Sequence, residues 1–221
     1  MGFKDRSAGV RHRLDMNEPR RTLTGPVRIS ADDSRRLAAI GQLRVKAWKA
    51  RQPAFPDMDT WLDAFDDVAQ HWAIFNGGVP VAAARMSVHA ALSSVPNAEI
   101  FAGVFPNGLE GPIASLNRLV VDPAFAGRGL SKTLDEARIA AARKIGCANL
   151  IVETFSRTSR VPALESLGFE VVGQSLPYAA GPLAKVQSAQ EDPNGGAPTV
   201  LKLSLTTFSS GTLARKVGDA C

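Results

Sequence analysis

Two glycines flank an arginine at Gly127-Arg128-Gly129, and the residues on either side give that triplet a chemical use. Ahead of it, Leu116-Asn117-Arg118-Leu119-Val120-Val121 reads as a strand, ended by Asp122-Pro123. Behind it, Leu130, Leu134, Ala137, Ala141 and Ile145 recur at helical spacing up to Gly146. A glycine loop that opens a helix presents backbone N–H groups with no intrahelical partner, at the positive end of the helix dipole. Such an end holds phosphate. Gly127 and Gly129 can take conformations closed to other residues and admit a ligand close to the backbone, and Arg128 adds a positive charge. The expected ligand is an anion. Leu130-Ser131-Lys132 stands where a P-loop needs Gly-Lys-Ser/Thr, and G-x-G-x-x-G is absent, so neither nucleotide template fits.

Leu119-Val120-Val121-Asp122-Pro123, followed by Gly127-Arg128-Gly129-Leu130-Ser131, resembles the acyl-CoA-binding motif of the GNAT superfamily of N-acyltransferases. That motif runs Q/R-x-x-G-x-G/A after a strand ending L-x-V-x-P. Ala126 stands where Gln or Arg is usual and Ser131 where Gly or Ala is usual, which leaves the amides of the loop in place. Leu167-Gly168-Phe169 resembles the family's later motif, so the likeness spans residues 113 to 176. It implies an α/β (α+β) fold with a central mixed, mainly antiparallel sheet flanked by helices. It also implies acetyl-CoA or another acyl-CoA as co-substrate, no metal, and a small-molecule or peptide amine as acceptor. Backbone groups of Leu119 and Val121 would serve the pantetheine arm and the thioester carbonyl. The loop from Ala126 to Ser131 would hold the pyrophosphate, through the amides of Gly127, Arg128, Gly129, Leu130 and Ser131.

Acyl transfer to nitrogen needs a neutral amine, a donor for the developing oxyanion and a proton for the departing thiolate. The resembled family often takes that proton from a Tyr four residues before the Gly of Gly-Phe, a position held here by Leu164. The family's Asn near the start of the same helix falls close to Arg157. Glu153 lies in an apolar run, where burial would raise its pKa into a useful range, and Tyr178 is the only tyrosine. They are the candidate base and acid, with His71 and His89 as other bases. Asn117 and Arg118 are polar residues inside a central strand, which requires partners or a cavity. Arg118 is either capped by an acid at a sheet face or a fork for an acceptor carboxylate. Two alternatives stay open. Ser115-Leu116-Asn117-Arg118 bears a smaller likeness to the acyl-homoserine-lactone and N-acyl-amino-acid synthases, which use long acyl donors, and the missing Tyr fits a non-catalytic acyl-CoA-binding module.

The elements that must position these residues follow from the rest of the chain. At 221 residues and 45% hydrophobic content, one sizeable core is expected. Cys147 and Cys221 have no metal-ligand spacing, no N-terminal apolar run suggests secretion, and no stretch has the length of a membrane span, so a cytoplasmic protein is expected. A net charge of +5 spread along the chain, without aromatic-studded basic motifs, argues against nucleic acid. Homodimerisation is left open. Residues 1–24 are basic without an apolar pattern and read as a flexible tail, 25–206 as the single domain and 207–221 as a frayed end.

Within the domain, Val27–Ser30 reads as a strand and Asp32, Asp33 or Ser34 as the cap of a helix carrying Leu37, Ile40, Leu43 and Ala47. A second helical segment is expected at about 58–69. Trp48, Phe55, Trp61 and Phe65 then read as core aromatics of two packed helices, or else as an apolar acceptor or acyl pocket. Asn76-Gly77-Gly78 joins two strands in a hairpin, and 92–112 is a long loop. Asn149–Phe155 is a strand, 160–167 a short helix, Phe169–Gly173 a strand, 179–198 a loop, and Thr199–Leu205 the last strand.

Overall fold

A computed structural model describes residues 22–155, 159–189 and 197–205. The elements run β1 (Val27–Ile29), α1 (Ser34–Lys49), β2 (Gln70–Asn76), β3 (Val79–His89), β4 (Ile113–Val121), α2 (Leu130–Ile145), β5 (Asn149–Phe155), α3 (Arg160–Glu165), β6 (Glu170–Gln174), α4 (Gly181–Ser188) and β7 (Pro198–Ser204). The seven strands form one sheet in the order β1-β2-β3-β4-β5-β7-β6. Every pairing is antiparallel except β4 with β5. This is the mixed, mainly antiparallel sheet that the sequence implies.

Local chemistry accounts for the boundaries. Gly77 and Gly78, both at positive φ, turn β2 into β3. The Asp33 carboxylate accepts from the Arg36 N–H and caps α1. α2 starts after Gly129 and stops at Gly146, both left-handed. Gly41 matters for packing, because a Cβ there would fall on the Thr60 hydroxyl; the bare backbone lets the segment carrying Trp61 cross α1.

Alternation along β5 divides the core between the two faces of the sheet. Leu150 and Val152 pack with Leu134 of α2 and Leu164 of α3, while Ile151 packs on the other face with Val45 of α1, Trp61, Tyr178, and Leu183 and Val186 of α4. Full burial of a side chain such as Leu134 contributes about 1.5–3 kcal/mol.

Four expectations change. The segment at 58–69 holds a single 3-10 turn, Ala64–Asp67, because the Asp63 and Asp66 carboxylates cap it reciprocally within one turn. Residues 179–198 are not all loop: Gly181 at φ 86 and Pro182 open α4, and Leu183 and Val186 bury its inner side. The long segment 92–112 contains two further 3-10 turns, Leu92–Ser94 and Ala98–Phe101. The end of the expected tail is tied to the sheet, since Leu23 bridges Asn76 and the Thr24 N–H donates to the Phe75 carbonyl at 3.0 Å. Residues 1–21 and 206–221 lie outside the described residues. Among the described residues, no helix is long and apolar enough to cross a membrane.

The arrangement leaves an opening in the sheet. β4 and β5 pair only over Ile113–Ser115 and Asn149–Ile151, and beyond that point the two strands part.

Candidate active site

A cavity of about 490 Å³ fills the gap between the parted strands. It is lined by Asn117 to Val121 on β4, Ala126 to Ser131 on the loop, Glu153 on β5, and Tyr178 after β6.

At the loop, Gly127 and Gly129 both have φ 74, in the left-handed region that favours glycine. A Cβ on either would meet nothing within 4 Å, so the space beside this backbone is open. The first-turn N–H groups of the 16-residue α2 have no intrahelical acceptor and face this space with the helix dipole behind them. The Arg128 guanidinium lies 4.9 Å from the Phe125 ring centre. These donors and this room fit a pyrophosphate.

β4 carries a bulge where it passes the cavity. Ala83 pairs with Val120 and Arg85 with Asn117, so Arg118 and Leu119 together face Ala84 alone. Arg118 has φ 54, which costs a non-glycine residue about 1–2 kcal/mol. The peptide groups of these two residues are thereby excluded from the β3 ladder at a point where β5 has already left, and can serve a ligand.

Buried charge holds the bulge. Arg138 of α2, fully buried, donates to the Arg85 carbonyl at 3.0 Å and to the Asn117 carbonyl at 3.4 Å. Its guanidinium is paired with Asp135, which also binds Arg160 of α3. Burial lowers the Arg138 pKa to about 10, with Asp135 opposing. On the other face, Arg44 makes two hydrogen bonds of 2.9 Å to Asp66, and Arg85 and Arg118 donate to Asp63 at 2.6 and 2.7 Å. Burial opposes ionisation of Asp63, but the two arginines win and hold its carboxyl far below the ordinary range. The Asn117 amide is spent on Arg85 at 2.6 Å and on the Ser115 hydroxyl at 3.2 Å, which makes it a brace for Arg85.

Glu153 and Tyr178 come together. The Tyr178 hydroxyl donates to Glu153 Oε1 at 3.3 Å. Burial raises the Glu153 pKa from 4.5 to about 7, against the opposing pull of Arg118 and the Tyr178 hydrogen bond. The carboxyl is enclosed by protein while the residue keeps partial exposure through the cavity mouth, so water reaching the cavity moderates this shift. Burial and the Glu153 charge push the Tyr178 hydroxyl well above 10, which keeps it protonated. A group that takes a proton near neutrality thus touches one that keeps its own. Of the aromatics, Trp48 stacks on Phe55 at 5.8 Å and meets Trp61 and Phe155 edge-on at 5.9 Å in the core beside α1, not between two helices, and Trp48, Trp61 and Phe155 also line the cavity.

Other candidates lie elsewhere. His71 is buried with Nε2 2.9 Å from the Asp66 carbonyl, and His89 ends β3 against Phe65; neither lines the cavity. Leu164 is buried in the core and does not line the cavity, which its neighbours Arg160 and Ala163 on α3 do. Arg157 lies outside the described residues. Asp63, Asp135 and Arg138 escape sequence reasoning, although an acid and an arginine at i and i+3 on the buried side of α2 were visible there.

Residues 37–169 match the acetyltransferase (GNAT) family. No curated protein sequence matches the chain. Among solved structures, yncA from Salmonella typhimurium, with its cofactor acetyl-CoA, superposes at TM-score 0.55 and 18% identity, covering 90% of this chain and 100% of that one. The polyamine N-acetyltransferase of Drosophila melanogaster gives 0.55 and 16%, covering 81% and 100%. FeeM, an N-acyl amino acid synthase from uncultured soil microbes, gives 0.55 and 14%, covering 83% and 91%. At such identities the likeness shows the fold.

Proposed function

The chain belongs to the acetyltransferase (GNAT) family, and from that premise we propose that it transfers an acyl group, in the first place acetyl, from acyl-CoA to an amine. Glu153 is the base and Tyr178 the acid. One observation carries this reading: a single cavity joins the glycine loop at the head of α2 to a buried carboxyl with a pKa near 7. Across the reaction an amine N–H and a thioester C–S bond give way to an amide C–N bond and a thiol S–H. The thioester supplies an activated carbonyl, so positioning does much of the work.

The residues of the chain divide that work. Loop amides from Gly127 to Ser131 hold the pyrophosphate. The unpaired backbone at Arg118 and Leu119, with Val121 further along β4, takes the pantetheine arm and the carbonyl oxygen. Glu153 receives the proton of the attacking nitrogen, and the Tyr178 hydroxyl gives one to the leaving sulfur. Passage of the proton from Glu153 to the Tyr178 oxygen along their hydrogen bond then restores both groups. General acid–base help of this kind is worth roughly 10²- to 10⁴-fold.

The test is thiol release from acetyl-CoA with a pool of small amines and peptides, with the products weighed by mass spectrometry. The expected result is amine-dependent release and a product heavier by one acetyl group. Tight acetyl-CoA binding by calorimetry with no release for any amine would make the chain a binding module instead.

A further inference from the structure

The face of the cavity opposite α2 carries one positive charge more than its aspartates balance. Arg44, Arg85 and Arg118 share Asp63 and Asp66, the contacts running from 2.6 to 3.1 Å. His71 adds no charge near neutrality, because burial lowers its pKa from 6.5. Arg44 and Arg85 are sealed in the core; Arg118 alone of the three reaches the cavity wall. Its guanidinium lies 3.9 Å from the Trp61 ring centre, one Nη binds Asp63, and its Nε is buried with no partner among the described residues.

The same face holds Glu153, which senses the Arg118 charge, and the apolar surfaces of Trp48, Trp61 and Phe155. Glu99, which acts on Tyr178, is exposed. With Glu153 ionised the arginines are balanced. Once Glu153 takes the proton of the attacking nitrogen, the balance fails, and the cluster of three arginines and two aspartates that Arg118 presents to the cavity keeps one excess positive charge in a site of low dielectric. A substrate that brings its own anion restores it.

We infer that the acceptor is a free amino acid with an apolar side chain, its carboxylate held by Arg118, its amine beside Glu153 and its side chain on the Trp48–Trp61–Phe155 wall. The inference rests on acyl transfer as proposed above. Arg118 sits at the one bulged, left-handed position of β4, so its aim is fixed by the backbone. A diamine or polyamine would instead set a second cation against Arg118.

The experiment compares acetyl transfer to a pool of apolar amino acids, a matched pool of the decarboxylated amines, and spermidine, for the wild-type chain and Arg118→Gln. A lost charge-assisted hydrogen bond predicts that wild type favours the acids over the amines by roughly 10- to 100-fold in kcat/KM. Arg118→Gln should bring that ratio near one. Equal or better rates with the amines or spermidine in wild type overturn the carboxylate site and leave the transferase standing. No thiol release with any of the three acceptor sets overturns both. The substrate series reads wild type, so the outcome stands even if the variant does not fold.

Discussion

The Glu153–Tyr178 pair concentrates the chemistry in one hydrogen bond of 3.3 Å. Tyr178 stabilises the ionised form of Glu153, so Tyr178→Phe should move the ascending limb of the pH–rate profile to higher pH while lowering the rate. A limb that stays in place would mean the two groups do not share a proton. Glu153 was legible as a carboxylate in an apolar strand. Its partnership with Tyr178 was not, because 25 residues separate them and only the turn after β6 joins them. The Arg118–Asp63 pair, 55 residues apart, was hidden for the same reason: charge complementarity across a fold leaves no local pattern.

Between residue and molecule stand the elements that aim these groups. Gly129 has φ 74 beside open space, so Gly129→Val should both strain the loop and block the phosphate approach, weakening CoA binding strongly in calorimetry while the chain stays folded. Undiminished affinity would remove the loop from the site. Arg138 ties α2 to the carbonyls that frame the β4 bulge, and Asp135 neutralises it. Asp135→Asn leaves buried Arg138 without its charge partner, and about 3–5 kcal/mol of stability should be lost in urea unfolding. The strand, loop and helix around Gly127 were readable because glycine and apolar spacing are local signals. α4 was not, since Gly181 and Pro182 read as loop although Pro in the first turn suits the start of a helix as well as breaking one. The helical reading of 58–69 failed because the Asp63 and Asp66 carboxylates serve the arginines and their own turn rather than a longer helix.

As a whole, the molecule is a sheet packed on both faces and split at its centre, and its stability should carry the mark of the ionisable groups lodged there. Asp63 and Asp66 titrate below their ordinary values, so the stability they contribute is present above about pH 4 and lost as pH falls further. Glu153 acts in the opposite sense. Its pKa is raised from 4.5 to about 7, so its contribution is complete below 4.5 and is lost as pH rises through 7. Thermal unfolding should therefore be latest at about pH 4–5, where the aspartates are ionised and Glu153 is still protonated. Glu153→Gln should remove the decline on the alkaline side, which amounts to about 3 kcal/mol or less. A variant that declines like wild type would place that titration elsewhere.

The most direct test of the central claim, that this cavity is a transferase site with Glu153 as its base, is the pH profile of kcat/KM for acetyl transfer by wild type and Glu153→Gln. Wild type should show an ascending limb with a midpoint near 7. The variant should lack that limb and fall by roughly 10²- to 10⁴-fold at neutral pH, with acetyl-CoA binding preserved. A Glu153→Gln enzyme that turns over at the wild-type rate, with the same limb, would contradict the account.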